Sequence, residues 1–467
     1  MAHTMLQAAV VVVGLLTAVL QLVRAALPAQ PPPFSWATVP VFMHSQNRTG
    51  PFNDTALEFM ARFPIVTIGG GQDLGVKKCC NEEKVVIAAR GIKAYNKSTR
   101  VLYYQNALIN FPQVHLNSTV DSSLLLHDKD GQLVSLGQCG HMHGVNHTLF
   151  DHSNPKMRKV WIDNAVEVVR KNPELIDGVF CDRGGSFAKA AAIDLPCVEF
   201  ESGKLRAWDV GHWQMIADLQ EAVQQITKTA VIIGNHVAPT GPMNLKKGSD
   251  WSGKMFETFL PVSTNYVPPG DQLPVLIGMD SQRIAEVHVD YCSFDEKGGL
   301  PAAYTLYEQS LAAFLIGAGE YSYYACTGNS NQVCEDIVYA VLVYAVLEYA
   351  VLEYAVLIQA MLRLSNPAPT LSLTLTGSQG WGMNNGWDQW SLDYSRPLGK
   401  PLGLAAHNTK TNVWHRKFAS GTQVWLDGGA DDWKAGWGTP CIQWADGHTT
   451  GKNGCDKYYS AQESESP

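Results

Sequence analysis

Residues 177–183 read DGVFCDR, an apolar run that ends abruptly in an acid and a base. Seven other stretches share this form: VPVFMHS (39–45), PIVTIGG (64–70), RVLYYQN (100–106), AVIIGNH (230–236), KMFETF (254–259), IAEVHVDY (284–291) and EYSYYAC (320–326). Strands covered on both faces read as continuous apolar runs, and purely parallel sheets are built from such strands. Helical patterns lie between several of them. Residues 157–171 carry Val160, Ile162, Val166 and Val169 at helical spacing; residues 212–226 carry Met215, Ile216, Leu219, Val223 and Ile226; residues 302–317 form a third. Eight strands alternating with helices favour an α/β fold closed as a (β/α)8 TIM barrel over an open doubly wound sheet. Segments 237–252 and 260–282 are rich in Pro and Gly and show no convincing helix. Gly69-Gly70-Gly71 follows a strand, but GGGQDLG matches no phosphate-loop motif and reads as close backbone packing at a strand end.

The rest of the 467-residue chain sets the surroundings of that core. Its length allows two or three domains or one large barrel with an appendage. A formal net charge of −8 argues against a nucleic-acid partner, whose binders carry a basic stripe. Residues 8–20 (AAVVVVGLLTAVL) with Val23-Arg24-Ala25 read as a signal peptide over residues 1–25, so the chain is expected to be secreted or lumenal; an uncleaved membrane anchor is the alternative. Sequons follow at Asn47, Asn53, Asn96, Asn117 and Asn146, and ten cysteines without a CxxC pair fit an oxidising compartment. The barrel is expected over 31–326. Residues 327–377 form an irregular insertion around YAVLV, YAVLE, YAVLE and YAVLI, whose five-residue period fits neither helix nor strand. A small β-rich C-terminal domain is expected over 378–459, where eight of thirteen Trp fall and residues 412–427 read as a hairpin turning at Ser420-Gly421.

Parallel barrels place their active sites at the C-terminal ends of the strands. The polar groups ending these strands include His44, Tyr104 and Gln105-Asn106, Asp182-Arg183, Asn235-His236, Glu257, and His288 with Asp290. Glycosidic cleavage needs two carboxyl groups, one protonating the leaving oxygen and the other attacking the anomeric carbon or activating water. Aromatic faces, amides and imidazoles around them suit a neutral carbohydrate. VLYYQNALINFP (101–112), LLLHDKDGQLV (124–134), FDHSNPKMRKVWIDNA (150–165), DGVFCDRGG (177–185), KMFETF (254–259) and RPLGKPLG with HRKFASGTQVWLD (396–427) give the chain a resemblance to the glycoside-hydrolase-like (β/α)8-barrel proteins, a group of inferred activity. That resemblance implies Asp182 as nucleophile and Glu257 as acid/base. It departs from the pattern at 327–377.

From the strand ends, Asp290, Asn106, Asn235, His236, Arg183, Tyr104 and His44 are expected to bind substrate. No organic cofactor is implied. Cys139, His141, His143, His147 and His152 suggest a metal, but the sequon at Asn146 implies exposure and no acidic ligand has fixed spacing; a polar loop over the pocket is expected and no metal. Asp128-Lys129-Asp130-Gly131 lacks the later acidic ligands of a calcium loop and reads as a hairpin turn. The reading is a secreted glycoside hydrolase of oligo- or polysaccharide. The alternatives are a carbohydrate-binding barrel without turnover and a structural cell-surface glycoprotein.

Overall fold

The computed structural model describes residues 32–47, 50–72, 80–139, 147–185, 191, 195–235, 252–257, 259, 269–279, 283–289, 301–326, 391–427, 439–451 and 455. Eight strands form one parallel sheet in sequence order: β1 (Met43–Ser45), β2 (Ile65–Ile68), β3 (Arg100–Asn106), β4 (Gly178–Asp182), β5 (Val231–Asn235), β6 (Gly253–Phe256), β7 (Ile284–Val289) and β8 (Ser322–Cys326). The ring closes through a parallel bridge between Val41 and Tyr324, with Phe42 N donating to Tyr324 O (3.2 Å) and Tyr324 N to Pro40 O (2.9 Å). All eight strands fall where the apolar runs placed them, and the fold is the (β/α)8 barrel.

The runs are continuous because alternate residues serve two different cores. Phe42, Ile65, Leu102, Phe180, Val231, Ile233, Met255, Ile284, Tyr323 and Ala325 point inward and pack together as the barrel filling. Their neighbours, such as Val101, Tyr103, Val179, Cys181, Ile232 and Val287, point outward against the helices. A strand with period-two side chains and both faces buried has no polar alternation to show. Cys181 lies on the outward side as a buried free thiol, and burial pushes its pKa up. Close approach is built in at Gly178, where a Cβ would meet the Val231 carbonyl oxygen at 1.9 Å.

Beside two short 3-10 helices (Ser122–Leu124 and Leu392–Ser395), seven α-helices have bounds among the described residues: α1 (Asp54–Met60), α2 (Asn81–Tyr95), α3 (His115–Thr119), α4 (Pro155–Lys171), α5 (Lys204–Ile226), α6 (Pro269–Ile277) and α7 (Pro301–Gly317). The Asn154 side chain caps α4 by accepting from Lys156 N, with Pro155 at the first turn. Helix α5 starts eight residues before its expected boundary. Helix α6 arises in a segment read as having no helix, because Pro274 inside it resembles a breaker while Leu273 and Leu276 are buried against the barrel.

The second sheet is antiparallel, in the order β13-β12-β11-β10-β9, with β9 (Ala406–Asn408), β10 (Val413–Lys417), β11 (Gln423–Asp427), β12 (Pro440–Gln443) and β13 (Thr449–Thr450). The hairpin read at 412–427 forms, pairing Lys417 with Gln423 around Ser420-Gly421, and Gly421 takes φ +102°. This sheet docks on α7. Arg416, nearly buried, donates to the carbonyls of Leu315, Ile316 and Ala318 at 3.0, 3.1 and 2.6 Å. A helix C-terminus leaves such carbonyls without intrahelical donors, and a cation there also complements the helix dipole. Disulfides join Cys139 to Cys197 and Cys441 to Cys455. Residues 1–25, the YAVLx block, His236, Asp290 and Asn146 lie outside the described residues.

Inside the barrel, Glu286 on β7 is fully buried and neither carboxyl oxygen finds a hydrogen-bond partner among the described residues. Desolvation raises its pKa from 4.5 to about 8. The unfolded chain releases this proton near pH 4.5 and the folded chain keeps it to about 8, so the native state binds the extra proton in between and loses stability as pH rises across that window. The loss reaches about 3–5 kcal/mol by pH 8 at about 1.36 kcal/mol per unit. Thermal denaturation of Glu286→Gln should show a higher midpoint than wild type at pH 8 and a flatter decline from pH 5 to 8. Parallel curves for the two proteins would contradict a buried protonated acid.

Candidate active site

Inward positions at the C-terminal ends of the strands carry polar groups in place of the apolar filling. Along β4 the inward series is Gly178, Phe180, Asp182; along β3 it is Leu102, Tyr104, Asn106; β5 ends it with Asn235. The register pairs Asn106 with Asp182 directly across β3 and β4. The sheet therefore delivers the three side chains to one end of the barrel, with Asp182, Asn106 and Asn235 at 7, 4 and 0% exposure.

Among the described residues, four hydrogen bonds to Asp182 are resolved. Its Oδ2 receives the Tyr104 hydroxyl (2.6 Å) and Asn106 Nδ2 (2.8 Å); its Oδ1 receives the backbone N–H of Arg183 (2.8 Å) and Asn235 Nδ2 (2.8 Å). Four donors on a nearly buried carboxyl match the acceptor capacity of an ionised carboxylate. The Asn106 amide is oriented by its own oxygen, which accepts the N–H groups of Leu108 (2.9 Å) and Ile109 (2.7 Å). Tyr104 stays protonated: burial, followed by the charge of Asp182, drives its pKa well above 10. Its ring lies over Gly70, where a Cβ would come within 2.8 Å of it. The expected close backbone packing at the triple glycine thus makes room for a side chain of the site.

Arg183 adopts φ +52°, the left-handed region that non-glycine residues rarely enter. That turn aims its N–H back at the Asp182 carboxylate. Strained backbone of this sort costs about 1–3 kcal/mol and concentrates at functional sites.

Asn235 joins the two acids. Its Nδ2 donates to Asp182 Oδ1 (2.8 Å) and to Glu257 Oε2 (2.6 Å). Laid end to end, those two bonds limit the gap between the facing oxygens to about 5.4 Å. Glu257 follows β6 and is half-buried. His44, on β1, packs edge-on to Tyr104 and Phe180 at centroid distances of 5.9 and 4.9 Å. Burial, reinforced by nearby His288 and opposed by Asp182, lowers its pKa to about 3, so its imidazole is neutral at ordinary pH.

Among the expected site residues, the structure gathers Asp182, Glu257, Asn106, Asn235, Tyr104, Arg183 and His44 at one barrel mouth. Gln105 points the other way, donating to Trp161 O (2.9 Å) behind the sheet, as its odd place in the alternation requires. Glu286 was missed in sequence; its spacing from Ile284 and His288 marks it as inward-facing. The hydroxyl of Thr67, inward on β2, is buried without a hydrogen-bond partner among the described residues. Cys139 is committed to a disulfide, and His152 Nε2 donates to the Ala107 carbonyl; His141 and His143 lie outside the described residues. No group of three potential metal ligands occurs among the described residues. A separate cleft of about 720 Å³ lies between α2 and α4 on the outside of the barrel, lined by Glu82, Val86, Ile87, His115, Val160 and Asn164 among others, and includes none of the acids of the mouth.

The crowding around Asp182 can be tested without a substrate. Asn106→Asp keeps an acceptor for the N–H groups of Leu108 and Ile109 but replaces a donor by a second negative charge. One of the two acids is then forced to hold a proton above its unfolded pKa, so stability is kept in acid and lost as pH rises. Urea unfolding at pH 7 should give a variant weaker by about 2–4 kcal/mol, with the deficit shrinking at pH 4. A deficit equal at both pH values would mean that the amide does not face Asp182.

Residues 93–341 match the family described as hypothetical glycosyl hydrolase family 15. The search of curated proteins found no match. Among solved structures, the chain is similar to a xylosidase from Aspergillus niger (15% identity over 64% of this chain and 45% of that one, TM-score 0.38). It is also similar to the acarbose-soaked debranching enzyme of Nostoc punctiforme (11% identity, 86% and 91%, TM-score 0.41) and to the galactosidase domain of the alpha-galactosidase-sucrose kinase AgaSK (10% identity, 85% and 47%, TM-score 0.40). The chain thus spans less than half the length of the xylosidase. With the family match covering more than half of its residues, this eight-stranded barrel belongs to hypothetical glycosyl hydrolase family 15.

Proposed function

We propose that this protein is a glycoside hydrolase of oligo- or polysaccharides, working with retention of anomeric configuration. The observation that carries the reading is the Asn235 amide held between Asp182 and Glu257, which keeps their facing oxygens within about 5.4 Å. Retaining enzymes hold their two carboxyl groups at roughly 5–5.5 Å, and inverting ones at roughly 6.5–9.5 Å to admit a water.

In this mechanism Asp182 attacks the anomeric carbon while Glu257 gives its proton to the departing glycosidic oxygen. The bond from carbon to leaving oxygen breaks as the bond from carbon to Asp182 forms. Glu257, now a carboxylate, takes a proton from water, whose oxygen displaces Asp182 and restores both groups. Tyr104, Asn106 and the Arg183 N–H hold the attacking carboxylate in place. Asn235, with His236, Asp290, Arg183 and the neutral imidazole of His44, orients sugar hydroxyls.

A panel of aryl glycosides, with products followed by NMR, tests this directly. Asp182→Asn and Glu257→Gln should each lower kcat by at least about a hundredfold, and the first product should keep the anomeric configuration. Full activity in Asp182→Asn would remove the nucleophile assignment. Sugar binding without cleavage by wild type would instead favour the non-catalytic barrel.

Secretion is part of the same proposal and makes its own forecast about the sequons. Asn53 is exposed, and among the described residues its side chain uses only its oxygen, accepting Ala56 N to cap α1. Asn117 is half-exposed in α3, and its side chain makes no hydrogen bond among the described residues. Asn47 is buried and its amide nitrogen donates to Pro51 O (3.2 Å); that of Asn96 donates to Ala61 O (2.9 Å). Enzymatic deglycosylation in heavy-oxygen water, read by peptide mass, should mark Asn53 and Asn117 and leave Asn47 unmarked. A glycan on Asn47 would contradict its buried placement.

A further inference from the structure

Behind the mouth, in the layer between strands and helices, lie two imidazoles that the proposed chemistry does not use. His152 precedes α4 and His212 sits within α5; both are fully buried, with ring centroids 5.6 Å apart. His212 Nε2 donates to the Gly184 carbonyl (2.9 Å), and His152 Nε2 donates to the Ala107 carbonyl. Those carbonyls mark where the chain leaves the two strands that end in Asp182 and Asn106. The Ala107 N–H donates in turn to Asp182 O (2.8 Å), and the Trp161 indole holds the Asn106 carbonyl (2.9 Å).

The pair is built in with care for distance. Trp208 stacks flat on His212, with centroids 4.9 Å apart and planes at 15°. Gly211 lets α5 approach the His152 loop, since a Cβ there would stand 1.9 Å from the His152 carbonyl oxygen. Arg158 donates to that same carbonyl (2.8 Å). Donation from Nε2 leaves each Nδ1 as an acceptor, and neither Nδ1 finds a partner among the described residues. Such an orphan costs stability, a cost that an aliphatic side chain of similar size would avoid. Burial, the main cause, lowers the pKa of both imidazoles, His212 to about 4, so both are neutral donors.

We infer that His152 and His212 are positioning residues, fixing from behind the two strand exits that aim Asp182 and Asn106 into the mouth. The inference rests on the reading of Asp182 as nucleophile. Its cost in local stability is borne because a carboxylate displaced by even about 1 Å loses about a hundredfold in rate.

The test compares His212→Gln, whose amide nitrogen reaches toward the same carbonyl, with His212→Leu and His212→Asn, which lack that reach. On an aryl glycoside cleaved by wild type, Leu and Asn should lower kcat by about 10–100-fold with KM within about twofold, and Gln should recover to within about threefold of wild type. Crystal structures of the Leu or Asn variant should show the Gly184 carbonyl turned away and the Asp182–Asn235 hydrogen bond broken. The Asn variant serves if the Leu variant does not fold. Wild-type kcat in either with Asp182 unmoved overturns the inference, as does a loss that Gln fails to restore. If wild type cleaves no glycoside, the hydrolase reading fails by itself, and the crystal comparison alone decides whether the imidazoles position Asp182.

Discussion

Closure of the ring between Phe42 and Tyr324 is the constraint on which the remaining structure depends. Without it, β1 and β8 would be open edges and the inward side chains would have no opposite wall. With it, each strand turns one set of alternate residues into a sealed interior and the other toward the helices. Phe180 fills the barrel, Cys181 packs behind it, and Asp182 returns to the inside one layer nearer the mouth. A nearly buried acid tolerates that position because four donors meet it there.

Polarity increases along the barrel axis. The lower layers are mostly apolar, and the top carries acids and amides that are tied to one another before any ligand arrives. The sharing of a single Asn235 nitrogen by Asp182 and Glu257 exemplifies this: one side chain sets the separation on which the proposed stereochemistry turns. Glu286 lies beneath this layer as a buried acid without hydrogen-bond partners among the described residues, held neutral by desolvation. Together with the left-handed turn at Arg183 and the orphaned imidazole nitrogens, it shows stability given up in the layers that surround and underlie the mouth.

Several elements were harder to read along the chain. Helix α1 (DTALEFM) is only seven residues long, too short for a period to emerge, and is defined by the Asn53 cap. Helix α2 does carry its buried Val85, Ala88, Ala89 and Ile92 at helical spacing, but it opens at Cys80 with no side-chain cap to mark the start. Helix α6 hides behind Pro274. The strands were easier because doubly buried β-branched runs are dense and short. The site residues at strand ends followed from the strands. His152, by contrast, stands in sequence as one of a His-rich loop, His212 as an ordinary polar residue of a helix, and Glu286 is marked only by its spacing from Ile284 and His288. What distinguishes all three is the total loss of solvent.

The amino-acid order alone determined eight parallel strands, the inward direction of Asp182, Asn106 and Asn235, and the hairpin around Ser420-Gly421, because these follow from side-chain periodicity and turn chemistry within a few residues. Only the tertiary structure decided that one amide lies between two acids, that Gly70 makes room for the Tyr104 ring, and that two imidazoles grip the strand exits. Those facts depend on the register between strands and on helices packed from outside, and contacts between residues remote along the chain are set by closure of the whole ring rather than by any local pattern.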